Sequence, residues 1–193
     1  MENADAVKKN LMIALVLLAD AAFAQPTVIE LDPAQTRIEF TLGATLHTVH
    51  GSFRLKQGTI RFDPATGKAS GQIVVDATSG DSGNGSRDSK MHKSVLESVR
   101  CPEIAFTPDS VAGALTGPGP WHVEVHGSFR IHGVEHEMTL PVETQVGPDR
   151  FTATMRLVVP YVKWGMKNPS TFLLHVDEEV GIEIHAAGRV VAK

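Results

Sequence analysis

Two short constellations in this chain contain the residue types of catalysis. Gly80-Asp81-Ser82-Gly83 sets a serine between glycines, as a nucleophile loop would. That chemistry needs a histidine base and an orienting aspartate supplied by other strands. Only His47 and His50 precede the segment among the histidines, and the chain is short for a double barrel. A glycine-rich turn leading into a helix at Arg87 accounts for the same residues. The second constellation is the set of nine histidines, which raises metal ligation. His122 and His126 fall on one strand face, but four residues at about 3.3 Å each separate them by about 13 Å. Zinc ligands sit about 2 Å from the ion, so one metal cannot join that pair. His132 and His136 have the same spacing. His47 and His50 flank a short loop, with no carboxylate or cysteine at ligand spacing beside them. The histidines therefore read as solvated outer-face residues, and the sequence predicts no metal, no cofactor and no catalytic residue.

A few polar residues keep two readings. His136 lies on the face of Val134, Met138 and Leu140, as a satisfied core histidine or as a polar group meeting a ligand head. Arg87 and Asp88 form either a helix cap paired with a nearby loop or a polar rim for a head group. Trp164 and Met166, around Gly165, plug a barrel end or line a pocket mouth. Methionine and aromatic side chains adapt to a flexible apolar chain, but core packing makes the same demand. Asn84-Gly85-Ser86 matches a glycosylation sequon that is common by chance. Cys101 is the single cysteine, so no internal disulfide forms.

The elements that must position these residues are strands. Ile38, Phe40 and Leu42 alternate with Arg37, Glu39 and Thr41. Trp121, Val123 and Val125 alternate with His122, Glu124 and His126. Phe151, Ala153, Met155, Leu157 and Val159 do the same, as do Val180, Ile182 and Ile184. Period two marks half-buried strands. Further runs over residues 51–62 and 71–78 bring the count to about eight. At Gln57-Gly58 the apolar parity shifts from Phe53 and Leu55 to Ile60 and Phe62, which predicts a bulge or a turn. Turns fall at Asp63-Pro64-Ala65-Thr66-Gly67, Gly117-Pro118-Gly119-Pro120 and Gly147-Pro148-Asp149. The pattern predicts an all-β, antiparallel sandwich or closed barrel. One helix is predicted over residues 87–99, with Met91, Val95, Leu96 and Val99 on one stripe. Ser86 or Asp88 caps its start, and Pro102 ends it.

The N-terminus predicts destination. Lys8 and Lys9 precede an apolar run over residues 11–18, and Ala22-Phe23-Ala24 follows. This is the order of a cleaved secretory signal over residues 1–24, leaving one domain over residues 25–193. The run is shorter than the about 20 residues needed to span a bilayer, and no later segment reads as transmembrane. Charge is mildly acidic, with 22 Asp+Glu against 18 Lys+Arg. No basic-aromatic patch appears, so nucleic acid is not an expected partner.

The order of these pieces resembles the YceI-like family of bacterial periplasmic proteins. Residues 29–40, from Ile29-Glu30-Leu31-Asp32-Pro33 to Ile38-Glu39-Phe40, look like its first strand signature. Gly51-Ser52-Phe53 and Gly58-Thr59-Ile60-Arg61-Phe62-Asp63 look like the next two strands. Gly80 to Asp88, then Met91 and Pro102-Glu103-Ile104-Ala105-Phe106, form the most specific part. Phe129-Arg130-Ile131-His132-Gly133-Val134 and Trp164-Gly165-Met166-Lys167 also fit. The chain departs at Cys101, where an aromatic is common in relatives. The resemblance implies a lipocalin-like antiparallel β-barrel with one short α-helix. It also implies an apolar interior holding a long amphiphile such as a polyisoprenoid, a periplasmic location, and frequent homodimers.

The expected function is therefore a periplasmic carrier that sequesters a hydrophobic, isoprenoid or fatty-acyl ligand by physical binding. Alternation selects the candidate ligand-binding residues: Phe40, Phe53, Ile73, Val75, Phe106, Val123, Val125, Phe129, Met138, Phe151, Met155, Phe172 and Leu174, joined by His136, Trp164 and Met166. Parity does not separate a cavity wall from a solid core, because small barrels pack solid with the same pattern. Two alternatives stand beside this function. One is an enzyme acting on a small amphiphile through a polar cluster such as His136 with a carboxylate. The other is a structural or interaction module with a filled barrel, binding through a strand edge or its outer histidines.

Overall fold

The computed structural model describes residues 26–113 and 119–191. The basic, apolar and small residues of the predicted signal lie outside them, as does part of the Gly117-Pro118-Gly119-Pro120 turn. Nine strands follow in order: β1 (Thr27–Leu31), β2 (Arg37–Ala44), β3 (His47–Asp63), β4 (Lys68–Asp81), β5 (Glu103–Ala112), β6 (Trp121–Ile131), β7 (Val134–Val146), β8 (Arg150–Val159) and β9 (Val180–Val191). All pair antiparallel in one sheet, which closes through β3 against β4. β1 and β2 share one slot. Both lie between β3 and β9, β1 beside residues 59–62 and β2 beside residues 47–53 of β3. Nine strands thus fill eight positions of a closed, all-β barrel.

Asp32 breaks that shared slot in two. Its carboxylate accepts the Ala34 N–H at 2.8 Å, and its carbonyl accepts the Thr36 N–H at 3.0 Å. The chain turns once and resumes along the same groove. β3 is long enough to serve both halves, and it stays continuous by bulging. Its register against β4 slips between Leu55 and Gln57. The extra residue restores parity, so Phe53, Leu55, Ile60 and Phe62 all face the interior. The parity shift in the sequence is this bulge.

The predicted helix is shorter than its apolar stripe. Helix α1 (Gly85–Lys90) passes into one π-turn, Met91–Val95. Asn84, not Ser86 or Asp88, caps it, its Oδ1 accepting the Arg87 N–H at 3.1 Å. Asp88 instead accepts the Ser82 N–H at 3.0 Å, tying the helix to the end of β4. The turn stops well before Pro102, because Glu97 adopts φ 46°, a left-handed helix stop. Val99 follows that stop and is 95% exposed, off the stripe that Met91, Val95 and Leu96 form.

Among the described residues, every strand has a neighbour on each side. The pairing is partial at one place, because β7 runs past its ladder with β8 over residues 134–141. The slot for β1 is also tight. A Cβ at Gly188 would stand 2.2 Å from the Glu30 carbonyl oxygen and 2.9 Å from Leu31 Cα, both backbone atoms on β1. A Gly188→Val variant is therefore expected to lose about 1–3 kcal/mol of stability in urea unfolding. An unchanged midpoint would mean that β1 does not pack against β9 at this distance.

Candidate functional site

Antiparallel alternation sorts the connections of the barrel. The β2–β3 turn, the β4–α1–β5 connection, the β6–β7 turn and the β8–β9 connection share one end. The β3–β4, β5–β6 and β7–β8 connections share the other. Between the ends runs a cavity of about 570 Å³, within the usual range for ligand pockets. The barrel is hollow. Phe53, Ile73, Val75, Phe106, Val125, Phe129 and Met155 point inward yet are only half-buried, because they border the open interior.

Twelve of the sixteen expected residues lie on the cavity wall. They are the seven just named with Phe40, Val123, Phe151, Met166 and Leu174. Four stand off it. Phe172 is fully exposed. The Thr171 N–H donates to the Leu174 carbonyl at 2.9 Å, and this irregular turn breaks strand parity and turns Phe172 outward. His136 and Met138 sit on the first half of β7, which extends past the β7–β8 ladder at residues 142–146. The segment after β8 packs there, and Trp164 stacks flat on His136, ring centroids 3.9 Å apart and 10° between planes. Trp164 is thus a plug over the seam, beside Phe129, while Met166 alone of that pair meets the cavity. Of the two readings of His136, core histidine or polar contact for a ligand head, the structure places it under Trp164 and off the cavity wall, its Nε2 buried with no hydrogen-bond partner among the described residues.

Several wall residues escaped the sequence reading. Leu31 and Ile29 enter from β1, and Met91, Val95 and Leu96 enter from the helix. The helical stripe was a usable signal for the last three. For β1 the five-residue strand is too short to show a clear period.

Polar groups on the wall are unevenly placed. Ser82, Asn84, Ser86, Arg87, Lys90 and His47 gather at the α1 end. Away from it, Thr36 and Thr144 spend their hydroxyls on the Ala187 and Thr152 carbonyls, at 3.3 and 3.0 Å. Ser82 is no nucleophile poised on a histidine. Its hydroxyl donates to Asp88 and accepts the Arg87 Nε–H at 2.7 Å. Arg87, read from the sequence either as paired with a nearby loop or as part of a polar rim, is bonded to the loop at the end of β4 and borders the cavity. It grips Ser82 twice, its Nη2 donating to the Ser82 carbonyl at 2.8 Å. Lys90 Nζ donates to the Pro169 carbonyl at 2.7 Å, linking the helix to the β8–β9 connection. That connection also joins the β2–β3 turn, through an Ala44–Val176 bridge and the Thr45 N–H to the His175 carbonyl.

The comparisons agree with this architecture. A family model described as the YceI-like domain matches residues 30–187. The chain belongs to the YceI-like family. No curated protein matches it in sequence. Among solved structures, BcnA of Burkholderia cenocepacia is similar at 20% identity and TM-score 0.66, covering 84% of this chain and 99% of that one. A polyisoprenoid-binding domain from Saccharophagus degradans, implicated in plant cell wall breakdown, is similar at 17% identity and TM-score 0.65, covering 84% and 98%. A YceI protein of Campylobacter jejuni matches at 14% identity and TM-score 0.55, covering 68% and 79%. At these identities the three structures share the barrel fold with this chain. Among the described residues, no helix is long and apolar enough to cross a membrane.

One histidine cluster stands on the outer face of the barrel. Asp109 sits where the β5–β6 register slips, and it meets His126 Nδ1 at 2.8 Å, with Glu137 at 3.7 Å from Nε2. Strand spacing alone did not show this contact, because the bulge makes it. The hydrogen bond that the His126 Nδ1–H donates to the Asp109 carboxylate raises the imidazole's pKa above its ordinary 6.5. Histidine NMR titration is expected to show His126 still protonated above pH 6.5, with Asp109→Asn lowering its midpoint. A midpoint unmoved by that substitution would dissolve the pair.

Proposed function

We propose that this YceI-like protein is exported to the periplasm, with residues 1–24 removed, and carries or sequesters a long-chain hydrophobic ligand in its barrel. A polyisoprenoid or similar amphiphile is the ligand class. The observation that supports this most is the cavity itself, a continuous space of about 570 Å³ walled mainly by apolar side chains. Each buried CH₂ contributes about 0.8 kcal/mol. A chain-like ligand gains many such terms, offset by chain ordering and association entropy. The similar Saccharophagus domain, which is called polyisoprenoid-binding, adds support for the ligand class.

The chemistry of the wall favours physical binding over turnover. Among the described residues no carboxylate or thiol borders the cavity. Its tyrosine, Tyr161, donates its hydroxyl to the Asp177 carbonyl at 2.6 Å, and burial pushes its pKa up to about 12. A phenol held so far above neutral pH is a poor base. A hollow interior also weighs against the filled interaction module.

Native mass spectrometry of protein purified from its own periplasm, followed by organic extraction, tests the proposal. An intact isoprenoid or acyl species at stoichiometric level is expected. An empty protein that also refuses added prenyl and acyl probes would sink the carrier function. A second prediction concerns Val125, which borders the cavity midway along β6. Val125→Trp is expected to reduce probe uptake while leaving the unfolding midpoint nearly unchanged, because the indole enters open space. A loss of about 1–3 kcal/mol in stability would instead indicate an overpacked interior.

A further inference from the structure

Six large apolar side chains are exposed among the described residues: Leu46, Val99, Val134, Val158, Phe172 and Leu173. All lie in or beside the connections at the α1 end, and the other end exposes none among the described residues. Single exposed apolar residues are ordinary, but Leu46, Phe172 and Leu173 are held together on two turns. The Thr171 N–H donates to the Leu174 carbonyl at 2.9 Å, and the Leu174 N–H donates to the Thr171 hydroxyl at 3.2 Å. Phe172 and Leu173 are the corners of that tight turn and stand almost wholly in water. Such corners are ordinarily Gly, Pro, Asn, Asp or Ser. Leu46 is likewise a corner, of the two-residue turn between Ala44 and His47. The two turns are fastened to each other. The Thr45 N–H donates to the His175 carbonyl, and the His175 N–H donates to the Thr45 hydroxyl, both at 3.0 Å. An Ala44–Val176 bridge continues the pairing, so the three apolar corners share one rim.

That rim surrounds the mouth of the cavity. Among the described residues, the wall side chains that are also exposed are His47, Asn84, Ser86 and Lys90, all at the α1 end, so the cavity opens there. Leu174 and Pro169, beside the Phe172 turn, border the cavity too. Charge around the apolar corners has one sign. Residues 40–53 and 160–176, which carry both turns, contain Lys163 and Lys167 and no carboxylate. Both lysines are exposed, and Lys90 reaches the same connection through the Pro169 carbonyl at 2.7 Å. Acidic residues resume at Asp177, where the connection returns to the barrel against Gly43. Area separates the partners such a rim could take. A large side chain buries about 150–250 Å², so three fall short of the about 800 Å² per partner of a stable protein interface. Apolar corners flanked by cations suit an anionic bilayer, where the corners bury beneath the head groups and lysines meet lipid phosphates.

We propose that Leu46, Phe172 and Leu173 insert into the surface of an anionic phospholipid bilayer and seat the cavity mouth against it. The use of this docking, to pass a ligand between membrane and barrel without a passage through water, rests on the carrier function. The docking itself does not.

The test is flotation of the purified protein with vesicles of phosphatidylethanolamine and phosphatidylglycerol, and with vesicles of phosphatidylcholine alone. Residues 11–18 are apolar as well, so variants are compared in one and the same chain. The unaltered protein is expected to float with the anionic vesicles, more weakly with the neutral ones, and more weakly in high salt. The double variant Phe172→Ser, Leu173→Ser is expected to lose about tenfold or more in vesicle affinity. Its unfolding midpoint should not move, because neither side chain packs in the fold. Phe172→Trp gives a local reporter, whose added fluorescence should be quenched by lipids brominated on their acyl chains, beyond any quenching of Trp121 and Trp164 in the unaltered protein. Full affinity in the double variant, an unquenched Phe172→Trp, or equal affinity for neutral and anionic vesicles would each overturn the docking. Failure to float would do the same, and a dimer in sedimentation that the double variant abolishes would then assign the rim to a second copy. Vesicle binding by a protein that takes up no prenyl or acyl probe would leave the docking standing and remove the carrier function.

Discussion

A closed sheet must satisfy its backbone hydrogen bonds all the way round, and in this barrel one strand makes that possible. β3 is 17 residues long and pairs with β1, β2 and β4. Without its reach, the broken slot of β1 and β2 would leave a gap, and the sheet would have no contact with β4 to close on. The bulge between Leu55 and Gln57 is the adjustment that lets one strand do this. It bends β3 and resets its parity, so that both halves present apolar residues inward. Closure holds the facing strands apart, and the side chains that enter this barrel leave about 570 Å³ of the space between them open.

The α1 end is assembled differently, from irregular segments held by side-chain bonds. Asn84 caps the helix, Asp88 and Arg87 fasten it to Ser82, and Lys90 ties it to Pro169. Gly80 lets this happen at close range, since a Cβ there would lie 2.6 Å from Phe53 and 2.7 Å from Met91. The glycine–serine run that invites a nucleophile reading therefore serves a joint between β4 and the helix. Trp164 closes the neighbouring seam by lying on His136. Polar bonds gather at this end because backbone leaving a ladder must find new partners.

This division of labour shapes function. The ladder end supplies apolar surface of low chemical variety, suited to chains whose contacts are repetitive and undirected. The jointed end supplies the two cations of the wall, Arg87 and Lys90, each held by hydrogen bonds to Ser82 or Pro169.

Much of the fold was legible in the sequence, for a physical reason. Strand alternation is a local property, fixed by the backbone pleat, so Phe40, Val123 and Phe151 declared their inward face without any partner. The parity break at Gln57-Gly58 declared the bulge in the same way. Resemblance to known sequences carried the barrel and helix further than periodicity could. What failed was whatever depends on a distant segment. Phe172 lost its parity to an irregular turn, Val99 lost its stripe to the left-handed Glu97, and Asp109 met His126 through a second bulge. Whether the interior is filled or open is equally beyond local pattern, because alternation fixes the direction of a side chain and not the distance to the opposite wall. The sequence by itself determined the strands, their inward faces and the family. Only the tertiary structure decided that the barrel is hollow, that its cations stand together at one end, and which inward residues reach the cavity. Those properties depend on closure of the sheet, which sets how far apart the facing strands are held.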